Sequence, residues 1–134
     1  MARLEIVEGI AGIYASKLRA AGVGSTDALL RMGATQKGRQ EIENSSGIAR
    51  KLILKWVNQC DLYRIKGVGA EYAELLEVSG VDTVTELAQR KAEHLRQRMG
   101  EANLKRRCVR QLPALTAVDR WIRQAKSLPR VVKY

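Results

Sequence analysis

The sequence predicts an all-α protein built from two similar halves, and three observations lead to this fold class. The chain of 134 residues contains no useful run of alternating apolar and polar residues, the pattern that marks a strand. Apolar residues recur instead every three or four positions, as they do on one face of a helix. Residues 4–30 also align without a gap to residues 62–88, at a shift of 58 positions. We expect about five short helices in each half, with repeats at 1–61 and 62–134 that pack as one unit.

Matched aromatic residues support the repeat. Tyr14 aligns with Tyr72 at the shift of 58 positions, and Trp56 aligns with Trp121 at a shift of 65 positions. The second half therefore holds seven extra residues between positions 89 and 119. Because these aromatic residues occupy equivalent places, we expect them to be core residues and not platforms that bind a ligand.

We expect each half to begin with a short helix, a turn and a second helix. The two segments read LEIVEGIAG at residues 4–12 and LYRIKGVGA at residues 62–70. Both resemble the helix-hairpin-helix motif, in which glycine, an apolar residue and a second glycine follow spaced apolar positions. The second copy fits at every position, whereas Ala11 replaces the second glycine in the first copy.

The resemblance implies a use for the turn. In helix-hairpin-helix proteins, the amides that open the second helix hold the DNA backbone without reading bases, often through two motifs related by a twofold axis. The candidate residues are Gly9, Ile10, Ala11, Gly12 and Lys17 in the first copy, and Lys66, Gly67, Val68 and Gly69 in the second.

A second resemblance covers nearly the whole chain. Segments at residues 33–35, 55–58, 65–69 and 129–132 resemble a bacterial family of unknown function that is built from paired helix-hairpin-helix motifs. Membership implies a helical fold of the SAM-like type and brings no established activity.

Two later elements have local start signals. Thr83 with Glu86 forms a capping-box pattern, and Thr116 with Asp119 forms another at the start of the last helix. That last helix has an apolar stripe from Leu115 to Leu128.

Positive charge is concentrated in the last third of the chain. The net charge is +10, from 24 basic and 14 acidic residues, which argues for a polyanionic partner. Residues 1–66 carry +5, residues 67–89 carry −5 and residues 90–134 carry +10. We expect residues 106 and 110 to share one helix face in a basic binding surface. The candidates there are Arg96, Arg98, Lys105, Arg106, Arg107, Arg110, Arg120 and Arg123.

The better-formed turn therefore lies in the acidic stretch. Glu71 and Glu74 follow it, and acidic groups beside a phosphate would weaken binding by repulsion. Two alternatives remain open for each turn, which either contacts phosphate or serves as a structural corner between helices.

Several classes of function are excluded by composition. His94 is the only histidine, and Cys60 and Cys108 form no CxxC pair, so we expect no metal site, no cofactor and no catalysis. No apolar run is long enough to span a membrane, and acidic residues interrupt the N-terminal segment where a signal peptide would be apolar. We therefore expect a cytoplasmic protein, which would be associated with the nucleoid if it binds DNA.

Two hypotheses for function follow. The first is a non-catalytic module that binds double-stranded DNA, or RNA as an alternative, without strong sequence preference. The second is a protein-interaction or scaffold module, in which the acidic and basic surfaces contact a protein partner or another copy of the chain.

Overall fold

The computed structural model describes residues 2–134, and over this range the chain forms eight α-helices, one 3-10 turn and no strand. The 3-10 turn is Leu4–Ile6, and the helices are α1 (Gly12–Ala20), α2 (Thr26–Met32), α3 (Gln36–Ser46), α4 (Arg50–Leu62), α5 (Ala70–Val78), α6 (Val84–Leu87), α7 (Ala92–Lys105) and α8 (Leu115–Ser127). The all-α prediction is confirmed. The short helix expected to open the second half is absent, because α4 runs on to Leu62 and irregular turns follow it.

The chain divides into two compact units. The first consists of Met1–Asp61 with Val131–Tyr134, and the second of Leu62–Arg130. The last four residues thus differ from the predicted division, which left them in the second half. The Lys133 N–H donates to the Ala34 carbonyl at 2.8 Å, and the buried Arg39 donates through Nη2 to the Lys133 carbonyl at 2.7 Å. Packing of the two halves as one unit stays a prediction.

Each unit has a tryptophan beside a tyrosine. In the first unit, Trp56 is buried and its ring centroid lies 5.2 Å from that of Tyr14, which stays partly exposed. In the second unit, Trp121 is buried in a cluster of apolar side chains, 5.1 Å from Tyr72. Burial of large apolar side chains is the main stabilising contribution in a small domain, so both tryptophans are core residues, as expected. The prediction is wrong for the tyrosines, because Tyr14 is 36% exposed and Tyr72 is only partly buried at the edge of its cluster.

The two predicted helix caps have different outcomes. The Thr83 hydroxyl accepts from the Glu86 N–H at 3.5 Å and caps α6, which confirms that prediction. The predicted cap of α8 is wrong: Ala114 is the N-cap residue, and Thr116 lies inside the first turn. Asp119 pairs instead with Arg123 at 2.9 Å.

The helix expected through residues 106 and 110 is also absent, because α7 ends at Lys105. The side-chain Oδ1 of Asn103 accepts from the N–H groups of Cys108 at 2.8 Å and Val109 at 3.2 Å. Its side-chain Nδ2 donates to the Val109 carbonyl at 3.1 Å. An asparagine side chain that bonds nearby backbone competes with helical hydrogen bonds. Residues 106–114 therefore form a loop, which we call the arginine loop.

Candidate functional site

The two glycine-containing turns begin with the same glycine conformation. We call residues 9–11 the first turn and residues 67–69 the second turn. Gly9 has φ 93° and Gly67 has φ 98°, in the left-handed region that favours glycine. A Cβ atom at Gly9 would lie 3.2 Å from Trp56 Nε1, and one at Gly67 would lie 3.1 Å from Trp121 Nε1. Backbone conformation and the nearby indole thus both require glycine at the first position of each turn.

The middle residue of each turn points inward. Ile10 and Val68 are buried, and their N–H groups donate to the Val7 and Ile65 carbonyls, each at 3.0 Å. These two candidates shape the turn, and only backbone remains there to meet a ligand.

The third position does not require glycine in either turn. Ala11 has φ −147° and Gly69 has φ −103°, both accessible to any residue. A Cβ atom at Gly69 would meet nothing within 4 Å. Ala11 therefore leaves the first turn intact, and the helices α1 and α5 begin at the next residue of each turn. In α1 that residue, Gly12, has φ 46°.

A cleft lies beside the second turn. It consists of two adjoining hollows of about 620 and 660 Å³, which share Tyr72 and Gln111. The charged residues that line it are Lys66, Glu71, Arg107, Arg110 and Arg120. The fold thus brings three predicted arginines to a turn that has Lys66 before it and Glu71 after it in the sequence.

Three of these cations have no internal role. The side chains of Arg107, Arg110 and Arg120 are exposed and make no ion pair or hydrogen bond with the described residues. Their charge is therefore available to an external anion.

Three other predicted arginines have structural partners. Arg106 pairs with the buried Glu74 of α5 at 2.6 Å, and the Arg96 Nε donates to the Pro113 carbonyl at 3.0 Å. Together with Asn103, these contacts hold both ends of the arginine loop. Arg123 is exposed and pairs with Asp119 on its own helix. The negative charge of Glu74, which was expected to repel a phosphate, is thus paired with the charge of Arg106.

Two more candidates lie elsewhere in the second unit. Arg98 and Lys105 line a separate hollow with His94 and Ser79, at the opposite end of α5 from the second turn. Arg90 also donates to the Gly80 carbonyl there, at 2.8 Å. Cations near the end of a helix stabilise its last carbonyls, which accounts for this group.

The surroundings of the first turn are apolar and mixed in charge. Ile13 is 72% exposed and Ile6 is 43% exposed, on either side of the turn. Glu8 takes the place that Lys66 has in the repeat, and Lys17 is exposed on α1. The connection between α3 and α4 has only residues 47–49, with no arginine.

Sequence reasoning missed two glutamines of the cleft. Gln111 lies between the two hollows, and Gln124 bonds the backbone of Lys66 twice. Only one signal pointed to Gln124, which is its match with Gln59 in the segment aligned at a shift of 65 positions.

The described residues contain no group of three or more histidine, cysteine or acidic residues that could hold a metal ion. Burial raises the pKa of the Cys60 thiol to about 12, so that this thiol is no nucleophile at neutral pH. No helix within residues 2–134 has the length and apolar character needed to cross a membrane.

Comparison with known proteins identifies a family. Residues 8–128 match the family described as Domain of unknown function (DUF4332), and the chain belongs to that family. No curated protein and no solved structure matches the chain. The predicted membership in a family of unknown function is confirmed, and the family description carries no activity.

Proposed function

We propose that this member of DUF4332 is a non-catalytic module that binds the phosphate backbone of double-stranded DNA, without reading its sequence, through the cleft of the second unit. One observation carries the proposal: Lys66, Arg107, Arg110 and Arg120 line one cleft at the start of α5. Both turns are helix-hairpin-helix motifs in this proposal, and only the second is used to hold DNA.

The chemistry of the cleft suits a phosphodiester. The first amides of a helix have no partner within it and lie at the positive end of its dipole, so the start of α5 favours an anion. Four cations face one carboxylate, Glu71, around this helix start. Contacts of this kind hold phosphate oxygens and carry no base information, which predicts binding to any duplex.

The first turn is a structural corner in this proposal. Glu8 stands in the first turn where the second turn has Lys66, so the first turn lacks this cation. The connection of residues 47–49 supplies no arginine to replace the arginine loop.

Anisotropy titration of a labelled random duplex, at two salt concentrations, tests the proposal. The parent should bind at low salt and weaken steeply as salt rises, because binding releases counterions. The variant Arg107→Glu/Arg110→Glu should raise Kd at least about tenfold, since it reverses two contacts. The matched control Arg98→Glu/Lys105→Glu makes the same change in net charge away from the cleft, and should stay within about threefold of the parent.

Two results would overturn the proposal. Absence of binding by the parent at low salt removes the function itself. Equal losses in the two double variants would mean that overall charge, and not the cleft, determines binding.

A second candidate function rests on the exposed isoleucines. Ile6 and Ile13 flank the first turn and give this corner an apolar surface, which suits a protein partner or a second copy better than phosphate. Sedimentation velocity over a range of concentrations checks the version with a second copy. Self-association that Ile13→Glu abolishes would support it, and a monomer at every concentration would exclude it.

A further inference from the structure

Gln124 holds the residue that leads into the second turn. Its Oε1 accepts from the Lys66 N–H at 2.9 Å, and its Nε2 donates to the Lys66 carbonyl at 3.2 Å. One side-chain amide thus satisfies both backbone groups of a single exposed residue. Gln124 lines the cleft together with Lys66, although none of the functional roles described so far involves it.

The same helix supplies a cation to the cleft. Arg120 precedes Gln124 by four positions on α8, so the two side chains project from the same face. Trp121 of α8 also lies against Gly67, with its Nε1 3.1 Å from the place of a Cβ atom. The turn is therefore fastened to the helix that carries Arg120, at Lys66 by hydrogen bonds and at Gly67 by packing.

We propose that Gln124 is a positioning residue, which fixes the second turn relative to Arg120 so that the amides of α5 and the cations of the cleft meet one phosphate group together. This inference rests on the proposed function. In this proposal Gln124 acts through its two hydrogen bonds to Lys66 and not as a phosphate ligand. A turn that is held before binding loses less conformational freedom on binding, which raises affinity.

The test compares two glutamines of the same cleft. Gln124→Met keeps the length of the side chain and removes both hydrogen bonds to Lys66. Gln111→Met removes an exposed amide from the same cleft and leaves the turn fastened. Both variants keep the charge of the parent, so a difference between them reports the hydrogen bonds alone.

Two measurements are made on each variant. Hydrogen exchange of the Lys66 amide should be protected in the parent and in Gln111→Met, and become fast in Gln124→Met. Kd for a random duplex should rise about five- to tenfold in Gln124→Met only, because the released turn must be ordered on binding. The slope of log Kd against log salt should stay that of the parent, whereas loss of a phosphate-binding charge lowers it by about 0.9. Melting followed by circular dichroism shows whether each variant remains folded.

Each further outcome decides against the inference. Parent-like affinity of Gln124→Met, with a rapidly exchanging Lys66 amide, removes the positioning role and leaves the proposed function standing. Equal losses in both variants would mean that amides of the cleft contact DNA directly. A parent that binds no DNA ends both the proposed function and this inference, and a Gln124→Met chain that unfolds makes Gln124 a stability residue.

Discussion

The first and second turns begin with the same glycine conformation and differ in their neighbours. Gly9 and Gly67 have φ values of 93° and 98°, and each lies against a tryptophan Nε1. Beyond the turns, Gly22 and Gly80 each lie two residues after the end of α1 and α5, with φ values of 89° and 94°. The charge nearby is different, because the arginine loop follows α7 whereas only residues 47–49 follow α3. The shape of each turn and the charge that surrounds it thus come from separate parts of the chain.

The second half holds seven extra residues between positions 89 and 119, and part of this extra length accounts for the charge near the second turn. The arginine loop of residues 106–114 is longer than the connection of residues 47–49, and α7 is longer than α3. The loop ends are held by Asn103, Arg96 and the pair of Arg106 with Glu74. An insertion fixed in this way adds two arginines beside the turn without altering the turn itself.

The largest effects should follow from the feature that both turns share. Gly9→Ala and Gly67→Ala should each lower the free energy of unfolding by about 1–3 kcal/mol, because alanine is strained at such φ values. The nearby indole nitrogen adds to this cost. Urea unfolding followed by circular dichroism measures both changes.

Gly69→Ala is the control for this prediction. Its φ is −103° and the space around it is open, so the loss should be only about 0.5 kcal/mol, the scale of a changed N-cap residue. A loss as large as that of Gly67→Ala would show that the second turn needs glycine where the first turn has alanine.

A smaller effect should separate the two turns in DNA binding. Lys66→Met should raise Kd about fivefold at 0.1 M salt and lower the salt slope by about 0.9, because one phosphate contact is lost. Lys17→Met removes the same charge beside the first turn and should leave the slope unchanged. Anisotropy titrations over a salt series measure both quantities, and equal slopes for the two variants would contradict the assignment of DNA to the second turn.

The smallest effect concerns an ion pair that only the first unit has. The hydrogen bond from Arg19, at 2.7 Å, lowers the pKa of the Glu5 carboxyl to about 2. Because this pKa is below the unfolded value of about 4.3, the pair stabilises the fold above that pH and stops doing so as the pH falls from about 4 to 2. The pair is exposed, so the effect on stability should be slight.

Titration of the Glu5 side chain by NMR tests the pair directly. In Arg19→Met the pKa of Glu5 should rise towards its ordinary value, because the largest cause of its lowering is removed. An unchanged pKa would mean that the hydrogen bond does not form in solution.

The features of the fold that depend on residues close together in the sequence could be predicted. The spacing of apolar residues predicted the helices, and the match of Trp56 with Trp121 in the repeat predicted two core residues. The cap at Thr83 was predictable because it depends on residues three positions apart. The end of α7 was not, since it depends on how the Asn103 amide bonds the backbone of a later loop.

The cleft itself could not be predicted, because its residues are distant in sequence. Residues 67–89, which contain the second turn, carry a net negative charge. That net charge does not include Arg107, Arg110 and Arg120, which also line the cleft. Charge along the chain also could not distinguish Arg106 from Arg107. Arg106 pairs with Glu74, whereas Arg107 faces the cleft, and only tertiary packing separates the two.

The attachment of the arginine loop makes its shape independent of two of its side chains. Asn103 and Arg96 hold the loop through backbone atoms of Cys108, Val109 and Pro113, so the identity of the residues at 107 and 110 is not needed to keep its shape. Side chains at these two positions can therefore be exchanged, for acidic, aromatic or phosphorylatable residues, while the corner beneath stays folded. We therefore expect substitutions at these two positions, beside the start of α5, to change the charge of the cleft with little loss of stability.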